Sequence, residues 1–83
     1  MNNRLFVANL PYPATEADLK PIFQKIGLVV KVDIIKDQRN HSRGYGFVEM
    51  SNQTEAQEAI EKLNFHTLNV GGAERNLYIA LAK

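Results

Sequence analysis

The stretch Arg43-Gly44-Tyr45-Gly46-Phe47-Val48-Glu49-Met50 carries the reading that decides the fold of this 83-residue chain. In an extended strand, successive side chains point to opposite faces. Tyr45, Phe47 and Glu49 therefore share one face, and Gly46, Val48 and Met50 share the other. A half-buried strand ordinarily keeps its large apolar groups on one side. Here both sides carry them, so one face packs inside while the other presents rings. An earlier segment, Arg4-Leu5-Phe6-Val7-Ala8, repeats the device: Leu5 and Val7 stand opposite Arg4, Phe6 and Ala8.

Working outward, Pro11 and Pro13 halt the first strand, and Thr15-Glu16-Ala17-Asp18 offers a helix start with acids in its first turn. Leu19, Ile22, Phe23 and Ile26 follow at helical spacing, with Gly27 as a helix stop. If Thr15 caps, Pro21 lies in the second turn and deletes a hydrogen bond; if Asp18 caps, Pro21 falls in the first turn and costs little. A distorted helix start is expected. Val29 to Ile35 predicts a strand with Val30, Val32 and Ile34 on its apolar face and Lys31, Asp33 and Ile35 opposite. The polar run Asp37 to Arg43 connects it to the ring-bearing strand. A second helix begins near Asn52, with Glu55 at capping-box spacing and a stripe of Ala56, Ala59, Ile60 and Leu63. A long connection containing Gly71-Gly72 leads to a last strand, where Leu77, Ile79 and Leu81 oppose Tyr78, Ala80 and Ala82. Phe65 and Leu68 are expected to pack under that connection, and Tyr12 to buttress the first loop.

The order strand, helix, strand, strand, helix, strand suits an α+β, ferredoxin-like β-α-β-β-α-β sandwich, with a four-stranded antiparallel sheet and two helices on one face. Two helices cover only one side of such a sheet. The length fits one domain over residues 1–83, with no second core.

Composition narrows the function classes. With no cysteine there is no disulfide framework, thiolate metal site or cysteine nucleophile. His41 and His66 have no partner at ligand spacing, so no metal and no cofactor are expected. No nucleophile, base and orienter set stands out, and Gly44-Tyr45-Gly46 opens a strand, not the helix a dinucleotide loop requires. An enzyme is therefore not expected, nor a small-molecule substrate. No apolar run is long enough for a membrane span or a secretory leader, which points to an intracellular, cytoplasmic protein. The formal charge of +1 hides an uneven distribution. The predicted helices hold three lysines against five acids, while strands and loops, Lys83 included, hold seven basic residues against four acidic ones.

The first and third strands belong side by side at the centre of the sheet. Phe6, Tyr45 and Phe47 would then cluster on the uncovered face, where contiguous apolar area marks a binding surface. Flat rings on a flat sheet are stacking platforms for unpaired bases. Arg43 sets a guanidinium beside them for a phosphate. Arg4 and Lys31 fall on the same face, and Tyr78 and Ala80 extend it along the last strand.

These segments also carry a family resemblance. Leu5-Phe6-Val7-Ala8-Asn9-Leu10 resembles the six-residue motif of RNA recognition motif (RRM) domains. Arg43 to Met50 resembles the eight-residue motif, matching seven of eight positions, with Met50 where an aromatic is usual. The ending of that motif is similar to small single-RRM proteins of bacteria and glycine-rich RNA-binding proteins of plants. The resemblance implies a monomer that binds single-stranded RNA in post-transcriptional regulation or chaperoning. Phe6 and Phe47 would each stack a base, Tyr45 would pack against sugars and bases, and Arg43 would hold a phosphate. Phe65 stands where glycine is common in the family. Two alternatives stay open: single-stranded DNA as a further ligand, and a peptide partner on the helical face. The latter would use Glu16 and Asp18, but Arg75-Asn76-Leu77 lacks the aromatic that accompanies it.

Overall fold

The computed structural model describes residues 3–82. Two short runs that alternate apolar with ring-bearing positions, β1 (Arg4–Ala8) and β3 (Ser42–Met50), pair antiparallel at its centre. The other elements are α1 (Glu16–Gln24), β2 (Val29–Lys36), α2 (Gln53–Leu63), β4 (Thr67–Val70), β5 (Ala73–Asn76) and β6 (Tyr78–Leu81). The four-stranded sheet has the order β2-β3-β1-β6, and all its pairings are antiparallel. This is the ferredoxin-like sandwich that the alternation predicts. Lys83 lies outside the described residues.

One face of the sheet is the floor of the core. Leu5, Val7, Val48, Met50, Leu77 and Ile79 are buried there against Leu19 and Phe23 of α1 and Ala56, Ala59 and Leu63 of α2. Met50, the one departure from the eight-residue motif, is fully buried and fills core space. The position therefore belongs to packing, where a flexible thioether adapts well.

Thr15 is the cap of α1. Its N–H donates to Asp18 Oδ2 at 2.8 Å, and its hydroxyl donates to the same oxygen at 3.0 Å. Pro21 consequently lies inside the helix and leaves it one hydrogen bond short. The helix survives because Leu19 and Phe23 are buried on either side of that proline. Its C-cap is Lys25, so Gly27 lies beyond the end instead of capping it. A Cβ at Gly27 would meet the outer part of the Glu55 side chain, which can swing aside. α2 begins as expected, with Asn52 accepting from the Glu55 N–H at 2.8 Å.

Four further expectations are overturned. Val30 is exposed, because β2 bulges: Val29 pairs with Met50 and Lys31 with Glu49, so Val30 is an extra residue outside the ladder. Val29 is buried in its place. The connection after α2 is a second sheet, the β4–β5 hairpin, turned by Gly71 (φ 59°) and Gly72 (φ 85°). Two consecutive left-handed residues make the tight turn whose twist suits paired strands. Leu68 is buried under it as expected, but Phe65 is 65% exposed, and its φ of 67° swings the chain into the hairpin. Tyr12 is 70% exposed, so its ring is not packed beneath the first loop.

Candidate nucleic-acid interface

Strand register brings the predicted rings together. Phe6 stands opposite Phe47 on β3, and Ala8 opposite Tyr45. The Phe6 ring lies 5.7 Å from Tyr45 and 5.8 Å from Phe47, centroid to centroid, and Tyr45 meets Phe47 edge-on at 6.5 Å. All are half-buried, so each ring is braced by its neighbours and still open to the side away from the helices. Pairs at these separations contribute roughly 0.5–1.5 kcal/mol each, enough to hold the rings in place before any ligand arrives.

Two glycines shape the strand beneath the rings. Gly44 (φ 80°) lies between Arg43 and Tyr45, and its carbonyl accepts the Leu10 N–H at 2.9 Å, locking the first loop to β3. At Gly46 a Cβ would collide with the Asp33 carbonyl oxygen, because β2 crosses close by between its two irregularities. Only glycine permits that approach between two ring positions.

The charged residues divide into two groups. At the far end, the Arg4 guanidinium lies over the Phe47 ring, 4.2 Å from its centroid. Arg4, Lys31, Asp33, Phe47 and Glu49 line one shallow cleft of about 310 Å³. Both cations there face carboxylates, so this end is close to neutral. At the loop end, Arg43 is exposed two residues before Tyr45. It borders a cleft of about 280 Å³ with Asn9, Leu10, Tyr12, Gly44 and Arg75, whose lining holds no carboxylate.

Asp37 lines an adjoining cleft with Arg43, close enough for the two charges to interact. Its Oδ1 accepts from the His41 N–H at 2.9 Å and the Arg39 N–H at 2.8 Å. These bonds, the His41 one foremost, hold its carboxyl below the ordinary aspartate range. Tyr78 and Ala80 sit on the edge strand β6, opposite Ala8 and Phe6, and widen the same face. Tyr78 is 48% exposed.

Every site residue inferred from alternation thus lies on or beside the open face. Tyr12 and Arg75 do so without having been inferred. The signal at Tyr12 was the pair of flanking prolines, which deny it any strand or helix.

Known proteins share this sequence pattern and fold. Residues 5–70 match the family model described as RNA recognition motif. A human relative, protein boule-like, is 36% identical over 86 aligned positions that take in 98% of this chain and 30% of the relative. The chloroplastic RNA-binding protein CP33 of Arabidopsis thaliana is 44% identical over 70, covering 83% of this chain and 21% of its own. A solved sex-lethal protein/RNA complex superimposes with a TM-score of 0.84 at 37% identity, over 96% of this chain and 47% of that one. The chain belongs to the RNA recognition motif family. It spans less than a third of the length of these two curated relatives. No helix among the described residues is long and apolar enough to cross a membrane.

Proposed function

We propose that this chain binds single-stranded RNA by stacking two to three nucleotides on the open face of its sheet. The observation that carries this reading is the contiguous cluster of Phe6, Tyr45 and Phe47, with centroids 5.7–6.5 Å apart, on the face the helices leave uncovered. A folding chain gains nothing by leaving such a cluster wet, whereas base stacking on it is worth roughly 1–3 kcal/mol per base. Phe6 and Phe47 each stack a base, Tyr45 packs against sugar and base, and Arg43 holds a phosphate. Arg4 and Lys31 steady the strand, while Tyr78 and Ala80 lengthen the platform. Membership of the RNA recognition motif family and a relative named as an RNA-binding protein support this reading.

The platform reads π-faces more than base edges, so it tolerates many sequences and accepts single-stranded DNA as a further ligand. The chain acts as one monomeric binding domain inside the cell, in the cytoplasm, without catalysis, in post-transcriptional regulation or RNA chaperoning. A peptide on the helical face is disfavoured by how its acids are used. Glu16 accepts from the Ile34 N–H at 3.3 Å, and Asp18 is held by Thr15. Titration with a short mixed-base RNA tests the proposal by NMR. Amide shifts are expected on β1 and β3 around Phe6, Tyr45 and Phe47; shifts confined to α1 and α2 would transfer the function to the helical face.

A further inference from the structure

We infer that the outer edge of β2 is a self-association surface, and that Glu16 of α1 holds it closed against a second copy of this chain. The sheet order leaves β2 and β6 as its two edges. An edge strand presents unpaired N–H and C=O groups on which another strand can build. The two edges are treated differently. Along β6, the Leu77 N–H donates to the His66 carbonyl at 2.9 Å, and the Leu77 carbonyl accepts the Phe65 N–H at 2.7 Å. The Ile79 N–H donates to Asn64 Oδ1 at 3.0 Å. That edge is covered by the segment that follows α2.

On β2 the cover is a single carboxylate. The Ile34 N–H donates to Glu16 Oε2 at 3.3 Å, so it points away from β3. Backbone groups two residues apart on a strand point the same way, which aims the Val32 N–H and C=O outward as well. Among the described residues, no other bond reaches this edge between Lys31 and Ile34. Pairing with β3 is irregular between Val29 and Lys31 and again between Ile34 and Lys36, which confines the regular stretch to those four positions. Bulges blunt the edge at both ends, and Glu16 blunts what lies between.

The stretch is complementary to itself. Two copies of β2 set antiparallel about Val32 place Lys31 of each opposite Asp33 of the other. Neither residue forms an ion pair within the chain among the described residues. Opposite charges facing each other across strands favour pairing, whereas registers centred on Lys31 or Asp33 would oppose like charges. Charge therefore selects the Val32 centre. In that register the two Val32 residues exchange N–H and C=O bonds, and the Ile34 N–H is due to the partner's Val30 carbonyl. Val30 is 56% exposed and outside the ladder with β3, so it is free to meet that donor. The donor is the one that Glu16 occupies. Paired residues share a face, so the dimer presents both ring clusters on one side of an eight-stranded sheet. Such an isologous contact closes at two copies.

Sedimentation velocity over a concentration series tests this on the full chain, with each variant shown to be folded by circular dichroism. Pairing costs each copy its Glu16 bond, so Glu16→Ala should lower the dimer Kd about 5- to 150-fold, the net value of two hydrogen bonds. The wild type is expected to be monomeric at the concentrations where this variant dimerises. Glu16→Asp should behave like Glu16→Ala: it keeps the acid at the start of α1 and is one methylene too short to reach Ile34. In both variants the Val32 amide should gain protection from hydrogen exchange as the dimer forms. Adding Asp33→Lys to Glu16→Ala should abolish the dimer, and adding Lys31→Asp to that pair should restore it. Monomeric Glu16 variants at every concentration, or a wild type that dimerises as strongly as they do, overturn the proposal. So does a dimer that leaves Val32 unprotected or ignores the charge reversal.

Discussion

Replacing Phe6 and Phe47 by alanine, singly and together, probes the platform most directly. Each ring is assigned one stacked base, so each single variant should bind RNA roughly 1–3 kcal/mol more weakly. If the losses were independent, the double variant would lose about 2–6 kcal/mol, a 30-fold to 10⁴-fold rise in Kd. They are not independent. The two rings are 5.8 Å apart and both touch Tyr45, so removing one loosens the other, and a coupling of roughly 0.5–3 kcal/mol is expected between them. The double variant should therefore fall short of the sum.

The rings are half-buried, so folding also suffers, by less than the roughly 3–5 kcal/mol of a fully buried Phe→Ala change. Fluorescence anisotropy with a labelled short RNA measures Kd, at a temperature where urea titration shows every variant folded. Ile79→Val is the control: Ile79 is buried on the opposite face, and the change removes roughly 0.5–1.5 kcal/mol of stability without touching the rings. Wild-type affinity in the folded double variant, or an equal loss in Ile79→Val, would refute stacking as the source of binding.

Four further outcomes follow from particular contacts. If Arg4, Lys31 and Arg43 make the phosphate contacts, log Kd against log salt should have a slope of about 2 in magnitude; a slope steeper than about 5 would mean that charge, not stacking, dominates. Gly46→Ala drives a Cβ into the Asp33 carbonyl oxygen and should lower stability by about 1–3 kcal/mol; an unchanged urea midpoint would show that β2 yields freely. Phe65→Gly should raise stability by about 0.5–1 kcal/mol, since relief of a left-handed non-glycine backbone exceeds the added freedom of the unfolded chain; a lower midpoint would mean that the exposed ring packs usefully. Asp37 has a depressed folded-state pKa, so its support of the β2–β3 turn is complete above the unfolded aspartate value and disappears as pH falls through the folded one. NMR titration of its carboxyl should give a midpoint below an ordinary aspartate, and an ordinary or raised midpoint would mean that the His41 and Arg39 bonds do not persist in solution.

How much of this was legible in the sequence depended on periodicity. Alternation in Arg4–Ala8 and Gly44–Met50 placed the rings, the core side chains beneath them and the strand pairing, because a period of two leaves no freedom once one face is buried. It failed in β2, where one bulged residue shifts the phase: Val30 reads as core and lies in solvent, while Val29 does the reverse. A bulge on an edge strand leaves no compositional mark. The β4–β5 hairpin was legible and passed over, since Gly71-Gly72 between Leu68-Asn69-Val70 and Ala73 is a two-residue turn signal. Phe65 and Tyr12 were misplaced for another reason. Aromatic character argues for burial, and it gave way to backbone constraint: a left-handed φ at one and flanking prolines at the other turn both rings outward.

The proposed platform is small. Two to three stacked bases supply on the order of 2–9 kcal/mol gross, from which ordering the RNA and the side chains subtracts substantially. The far end of the sheet adds little by charge, since Arg4 and Lys31 stand beside Asp33 and Glu49. At the loop end Arg43 and Arg75 line a cleft whose lining holds no carboxylate, although the Asp37 charge partly offsets Arg43 from an adjoining cleft. On the proposed reading, a chain with a formal charge of only +1 binds a polyanion because stacking, and not charge, supplies most of the free energy.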